Sequence, residues 1–266
     1  MIQELEERLN GNQFILFDTS FRRPADDISI CKILYHGLKG LYSLPLEQIL
    51  KEMECLREVS ALIDQKDILV IGEVTKEIEV FAGVYKLQYT NVKDKILTKK
   101  KFREVHSKVN EKLAILGNYL KMTERFVKIS SNRDPRYSFD QEQRKRYSSL
   151  LQIANEYYDS MRKSMEFSEE TGNKIQKSSL GERLGTDRKI IATAYTLSYD
   201  RPVLILTNDR GIRRFVSAVN GVIGADSRGL IIPERLVREL GSVPKHHVLT
   251  FSQKSPNQYK QSVSVE

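Results

Sequence analysis

Three short apolar runs most constrain what this chain can fold into. Gln13–Phe17 (QFILF) stops at Asp18, Ile68–Ile71 (ILVI) stops at Gly72, and Val203–Leu206 (VLIL) stops at Thr207-Asn208-Asp209. Runs this short, rich in β-branched and aromatic residues and bounded by turn formers, read as buried strands. Between and after them the period changes. Leu46, Ile49, Leu50, Met53, Leu56, Val59 and Ile63 recur at spacings of three and four. That spacing predicts a helix over 44–63 with Pro45 in its first turn. Glu73–Tyr85 can form a second helix after Gly72. Thr186 is placed to cap a third that runs from Asp187 to about Ser198. Gly211–Val219 is a fourth, and a strand near 230–232 with a helix over 233–240 completes the series. Alternating strands and helices imply an α/β fold with a parallel sheet.

The segment from 86 to 185 differs. Phe102, Val105, Val109, Leu113, Leu116 and Leu120 follow a three/four spacing on a charged background, and Tyr147, Leu150, Ala154, Tyr157, Met161 and Met165 repeat it. Ser130-Ser131-Asn132-Arg133-Asp134-Pro135 between them is a turn cluster. The expectation is a hairpin of two long antiparallel helices, roughly 95–128 and 140–167. A polar loop over 168–185 follows, and residues 253–266 read as a flexible tail.

Charge separates along the same boundaries. The whole chain carries +8, but residues 1–85 carry −6, residues 86–186 carry +9 and residues 187–266 carry +5. A basic excess concentrated in one region suggests a polyanionic partner more strongly than the mean does. Other classes are set aside on composition. No apolar run approaches the ~18 residues of a spanning helix. The first ten residues hold Glu4, Glu6 and Glu7 and no basic leader region, so a secretory signal is not expected. Cys31 and Cys55 stand in no metal or disulfide spacing and read as small apolar packers, which fits a reducing cytoplasm. The 266 residues suit one large domain or one domain with an insertion.

Asp18 and Asp209 follow strands, Asp187 opens a helix, and Glu73 and Glu77 lie in the first turns of another. In open parallel sheets the strand ends and the following helix starts share one edge, where ligands bind. Crowded carboxylates resist ionisation, and a divalent cation relieves that cost. Oxygen ligands without His or Cys favour Mg²⁺ or Mn²⁺ over zinc. Such an ion can activate water for attack on a phosphodiester.

The segments FILFDTSF, VIGEVTKEIEVF, GTDRKIIATAYTLSYDRPVLILTND and DRGIRRF, in that order, resemble a PIN domain. The resemblance covers about residues 12–85 and 186–232. It implies a three-layer α/β/α fold with a central parallel sheet over 1–85 and 186–252, with 86–185 as an inserted helical region. It also implies a carboxylate cluster of Asp18, Glu77, Asp187 and Asp209 binding Mg²⁺ or Mn²⁺. Glu77 is preferred over Glu73 on family spacing only. Many members are endoribonucleases on single-stranded RNA, some are non-catalytic RNA- or protein-binding modules, and related folds cut DNA flaps.

Each residue also has an ordinary role. Asp18 and Asp209 suit turns after strands, Asp187 suits a helix first turn, and Glu77 suits an exposed helix face. It is the set, in order, that favours a metal site. Ser20, Thr207 and Asn208 suit either a loop hydrogen-bond role or the orientation of those carboxylates. Arg210, Arg213 and Arg214 directly follow Asp209 and are the candidate phosphate contacts. Lys99-Lys100-Lys101-Arg103 and Arg144-Lys145-Arg146 are either solvated helix faces or part of an RNA clamp. The inserted helices also offer a docking face for a protein partner or a second copy. Of Tyr137, Tyr147, Tyr157 and Tyr158, which could stack bases, most are expected in the core. His36, His106 and His246-His247 have no partner at ligand spacing, and the histidine pair is read as surface.

Overall fold

A computed structural model describes residues 13–22, 46–65, 68–97, 106–169, 185–220 and 247–252. The fold is α/β, with four parallel strands and long helices. The expected strand at 230–232, the helix at 233–240, nearly all of the loop 168–185, the basic run 99–103, Cys31, His36 and the tail 253–266 lie outside the described residues.

The strands are β1 (Phe14–Phe17), β2 (Ile68–Leu69), β3 (Val203–Leu206) and β4 (Val248–Phe251), in the order β2-β1-β3-β4. All pairs are parallel, with Leu16 opposite both Leu69 and Ile205, and Leu206 opposite Phe251. All four residues of β3 are buried. That is how a central parallel strand reads, because both of its faces are covered. β4 was not anticipated from the sequence, although its VLTF run has the same character as VLIL. His247, read as surface, sits where β4 begins and meets the Ser198 carbonyl through Nδ1 at 3.0 Å.

The helices are α1 (Leu46–Gln65), α2 (Gly72–Leu97), α3 (His106–Ser130), α4 (Gln141–Glu169), α5 (Thr186–Leu197) and α6 (Arg210–Val219). α5 carries buried side chains almost all round, Ile190 to Leu197 without interruption. It packs on β1 and β3 and against α4 and α6. Such a helix belongs in a core. Its N-terminus departs from expectation. The cap is Gly185, with a left-handed φ of 63°, and Thr186 is already inside the helix and buried. A side chain at position 185 would be strained by that φ, which is where glycine is favoured.

The chain divides into two compact units. One comprises Met1–Phe21, Asp67–Val74 and Arg133–Glu266, and the other Arg22–Lys66 and Thr75–Asn132. The division runs elsewhere than the expected boundaries at 85/86 and 185/186. α4 belongs with the sheet, packed on α5, whereas α3 belongs with α1 in the second unit. The amphipathic stripes of the two middle helices thus meet different partners. α2 begins in the first unit and continues in the second.

In the second unit, Tyr85 and Tyr119 meet edge to face at 5.5 Å, and the Tyr85 hydroxyl donates to the Leu116 carbonyl at 3.1 Å. Gly117 admits the Tyr89 hydroxyl, which a Cβ there would meet at 3.0 Å. Cys55 is buried in α1, as expected of an apolar packer. Among the described residues no helix is long and apolar enough to cross a membrane.

Candidate functional site

The site grows from the strand ends of the first unit. The Asp18 amide donates to the Leu206 carbonyl at 3.0 Å, so the β1–β3 ladder carries the residue one step past the strand. Asp18 as a residue is 3% exposed. Its carboxylate Oδ2 accepts from the hydroxyls of Ser20 and of Thr207, the latter at 2.6 Å. Ser20 Oγ in turn accepts from the Asn208 amide at 2.9 Å, and Asn208 Nδ2 donates back to the Ser20 carbonyl at 3.1 Å. Ser252, just past β4, donates to Asn208 Oδ1 at 2.9 Å. Three strand ends are thereby tied together, and Ser20, Thr207 and Asn208 orient the carboxylate.

Asp209 follows by two residues of loop. Its amide donates to Thr207 Oγ1 at 2.9 Å, and its Oδ1 accepts from the Ile212 amide at 3.0 Å. That second bond caps α6 and satisfies one of the orphan donors of its first turn. The ordinary reading of this aspartate is thus realised, and it engages Oδ1.

Asp187 reaches the same edge by topology. α5 leads into the start of β3 through residues 198–202, so it runs antiparallel to the strands. Its first turn therefore lies at their carboxyl ends. Lys189, two residues on, contacts Glu73 at the start of α2 at 2.8 Å, which fixes that placement.

Tyr158 of α4 links the three aspartates. Burial first, then the negative charges of Asp187, Asp209 and Asp18 with a contribution from Tyr157, push its phenol well above the ordinary tyrosine value. Its hydroxyl is buried and has no hydrogen-bond partner among the described residues. The sequence offers this residue as one of four tyrosines that either stack bases or pack in the core, and gives no sign of a place beside the aspartates.

No family model matches the chain, and no curated protein or solved structure matches it significantly.

The two glutamates part company. Glu73 lies in the first unit and Glu77 in the second. Burial alone would raise the Glu73 carboxyl. Hydrogen bonds from Arg136 at 2.5 Å and Lys189 at 2.8 Å outweigh burial and hold it below the ordinary value. Asp134 is treated likewise: burial is overcome by Arg136 and by the amides of Gly72 and Arg136. Tyr147 completes the group, accepting from Arg136 at 3.2 Å. In the sequence, Asp134-Pro135 stands only at the end of the turn cluster 130–135, with Arg136 just beyond it. The pairing of the two charges across a proline could have signalled a locked corner.

Of the candidate phosphate contacts, Arg210 is exposed at the start of α6. Arg213 donates from Nε to the Asp209 carbonyl at 3.4 Å. Arg214 lies close enough to lower the Tyr157 phenol against the larger rise from burial. In the middle run, Arg144 donates to the Phe139 carbonyl at 2.9 Å, and Arg146 pairs with Glu142 and stacks over Tyr199 at 4.2 Å. Two of those three cations are thus engaged within the protein. Of the four tyrosines, Tyr137 is the outward one, at 79% exposure.

The donors at the aspartate edge are carboxylate and hydroxyl oxygens, the chemistry that suits a hard divalent cation. Among the described residues no three of His, Cys, Asp and Glu already stand close enough to enclose one. The orphaned Tyr158 hydroxyl is the observation that fits a polar ligand at this edge.

Proposed function

We propose that the protein is a PIN-like, metal-dependent nuclease of three-layer α/β/α design that hydrolyses phosphodiester bonds in single-stranded RNA. Asp18, Asp187 and Asp209 are its principal metal ligands. The supporting observation is that three aspartates from three separate elements bring their charge to one buried phenol at the carboxyl edge of a parallel sheet, where such sheets take ligands. A Mg²⁺ or Mn²⁺ bound there would supply an activated water and offset charge on the phosphate.

The chain's own residues do the rest. Ser20 and Thr207 hold one oxygen of Asp18, and the α6 cap fixes the Asp209 side chain. Arg210, exposed beside Asp209, offers a sequence-independent phosphate contact. Glu73 is neutralised by Arg136 and Lys189 and serves the corner. The proposed location of the protein is the cytoplasm.

The decisive experiment incubates labelled single-stranded RNA with Mn²⁺ and either the wild-type protein or Asp209→Asn. Cleavage by the wild type alone supports the assignment, and equal cleavage by both overturns it. Parallel arms with single-stranded and flap DNA decide the polymer. One observation favours a second reading, a nucleic-acid-binding module without cleavage: Asp209 Oδ1 is engaged in capping α6. RNA retention by the wild type with no cleavage in any arm would establish it.

A further inference from the structure

We propose that the Tyr158 hydroxyl is a positioning group of this site, donating a hydrogen bond to a water molecule held among Asp18, Asp187 and Asp209. The inference rests on reading the three aspartates as a cation site. The hydroxyl is fully enclosed, and a buried donor without a partner carries a cost comparable to a lost hydrogen bond. A Cβ built on Gly211 would meet this hydroxyl at 3.1 Å and Asp209 Oδ1 at 3.0 Å, so both oxygens border the space beside that glycine. The ring is fixed on two sides. Tyr157 packs edge to face at 5.5 Å, and the Arg188 guanidinium lies 5.6 Å from the ring centre. Arg188 is itself anchored on Asn155 at 3.2 Å and Asp159 at 2.9 Å.

Two neighbouring phenols, Tyr157 and Tyr195, also lack hydrogen-bond partners among the described residues. They differ in their surroundings. Tyr157 has the Arg214 charge beside it, and Tyr195 is shifted by burial alone. Of the three, Tyr158 is the one whose hydroxyl shares the space beside Gly211 with an aspartate oxygen, Asp209 Oδ1. Carboxylates only accept, and a neutral phenol beside them has a proton to give. A water satisfies both. It accepts from the phenol, donates its two hydrogens to carboxylate oxygens, and keeps one lone pair for a cation. Buried waters need two to four polar partners, and this edge supplies them.

Tyr158→Phe removes only the hydroxyl. In the full chain, Mn²⁺ binding is measured by titration calorimetry, and thermal unfolding is followed with and without Mn²⁺. Expected are about tenfold weaker Mn²⁺ binding and a metal-free unfolding midpoint that is unchanged or higher, because no protein hydrogen bond is lost. Wild-type Mn²⁺ affinity in Tyr158→Phe, while Asp209→Asn loses binding, overturns the inference and leaves the proposed function standing. A lower metal-free midpoint with unaltered affinity also overturns it, since that is a structural role. A wild type that binds no Mn²⁺ overturns both. Gly211→Ala is the second variant, placing a methyl group against the hydroxyl. Its loss of affinity should be smaller in the Tyr158→Phe background, and full additivity would count against a shared water.

Discussion

At the carboxyl edge of one sheet, two sets of acidic residues are held in opposite ways. Glu73 and Asp134 are gripped by cations: Arg136 reaches both, and Lys189 reaches Glu73. Asp18 and Asp209 take hydrogen bonds from hydroxyls and backbone amides, Ser20, Thr207 and Ile212. Cations cancel a carboxylate's charge and lock its place. Neutral donors fix its direction and leave the charge in play. The first set builds a corner of the fold, and the second lines the edge at which the metal is proposed to bind.

The largest effect is expected at the second set. Asp18→Asn keeps an acceptor for Ser20 and Thr207 but removes charge. RNA cleavage should fall a thousandfold or more, about 4 kcal/mol of barrier, with unfolding in metal-free buffer unchanged or later. A clear loss of metal-free stability would erase the contrast between the sets. Next comes Arg136→Met, which leaves Glu73 and Asp134 short of partners. Denaturant unfolding should show a loss of about 3 kcal/mol, while Mn²⁺ affinity stays as in the wild type.

A smaller effect is expected from Thr207→Val, which deletes a donor to Asp18 and an acceptor for the Asp209 amide. Stability should drop by about 1–2 kcal/mol, with Mn²⁺ affinity down severalfold because Asp18 is less well directed. The smallest is a pH effect. Glu73 and Asp134 are held below their ordinary values of 4.5 and 3.8. Their contribution is therefore present in full above those values and is lost as pH falls beneath them. Urea midpoints should decline below about pH 4.5, and Glu73→Gln should flatten that decline.

The sequence carried the local half of this arrangement. β3 and the helices at 46–65, 186–197 and 210–219 fall within two or three residues of expectation, because apolar period and turn chemistry are properties of neighbours. Asp18, Asp187 and Asp209 were readable for the same reason: each ends a strand or starts a helix. What escaped was pairing between distant segments. Nothing local says that α4 packs on α5 and α3 on α1, since both middle helices carry equally good amphipathic stripes. Glu73 and Glu77 sit one turn apart on one helix, and only Arg136 and Lys189, from elsewhere in the chain, show what Glu73 does. Tyr158 is legible only as one of four tyrosines that could stack bases or pack, because its place beside the aspartates depends on residues far away in the chain.

The β1–β3 pairing also sets a timetable. Asp18 and Thr207, joined by a single hydrogen bond, are 189 residues apart in the chain. Closing a loop of that length costs about 5 kcal/mol of chain entropy before any contact repays it, and such remote pairings slow folding. At about 5–20 residues per second on the ribosome, Asp18 is made roughly ten to forty seconds before its partner, and β4 follows later still. The aspartate edge is thus one of the last features a growing chain can complete, and a nascent protein has no means of assembling it early.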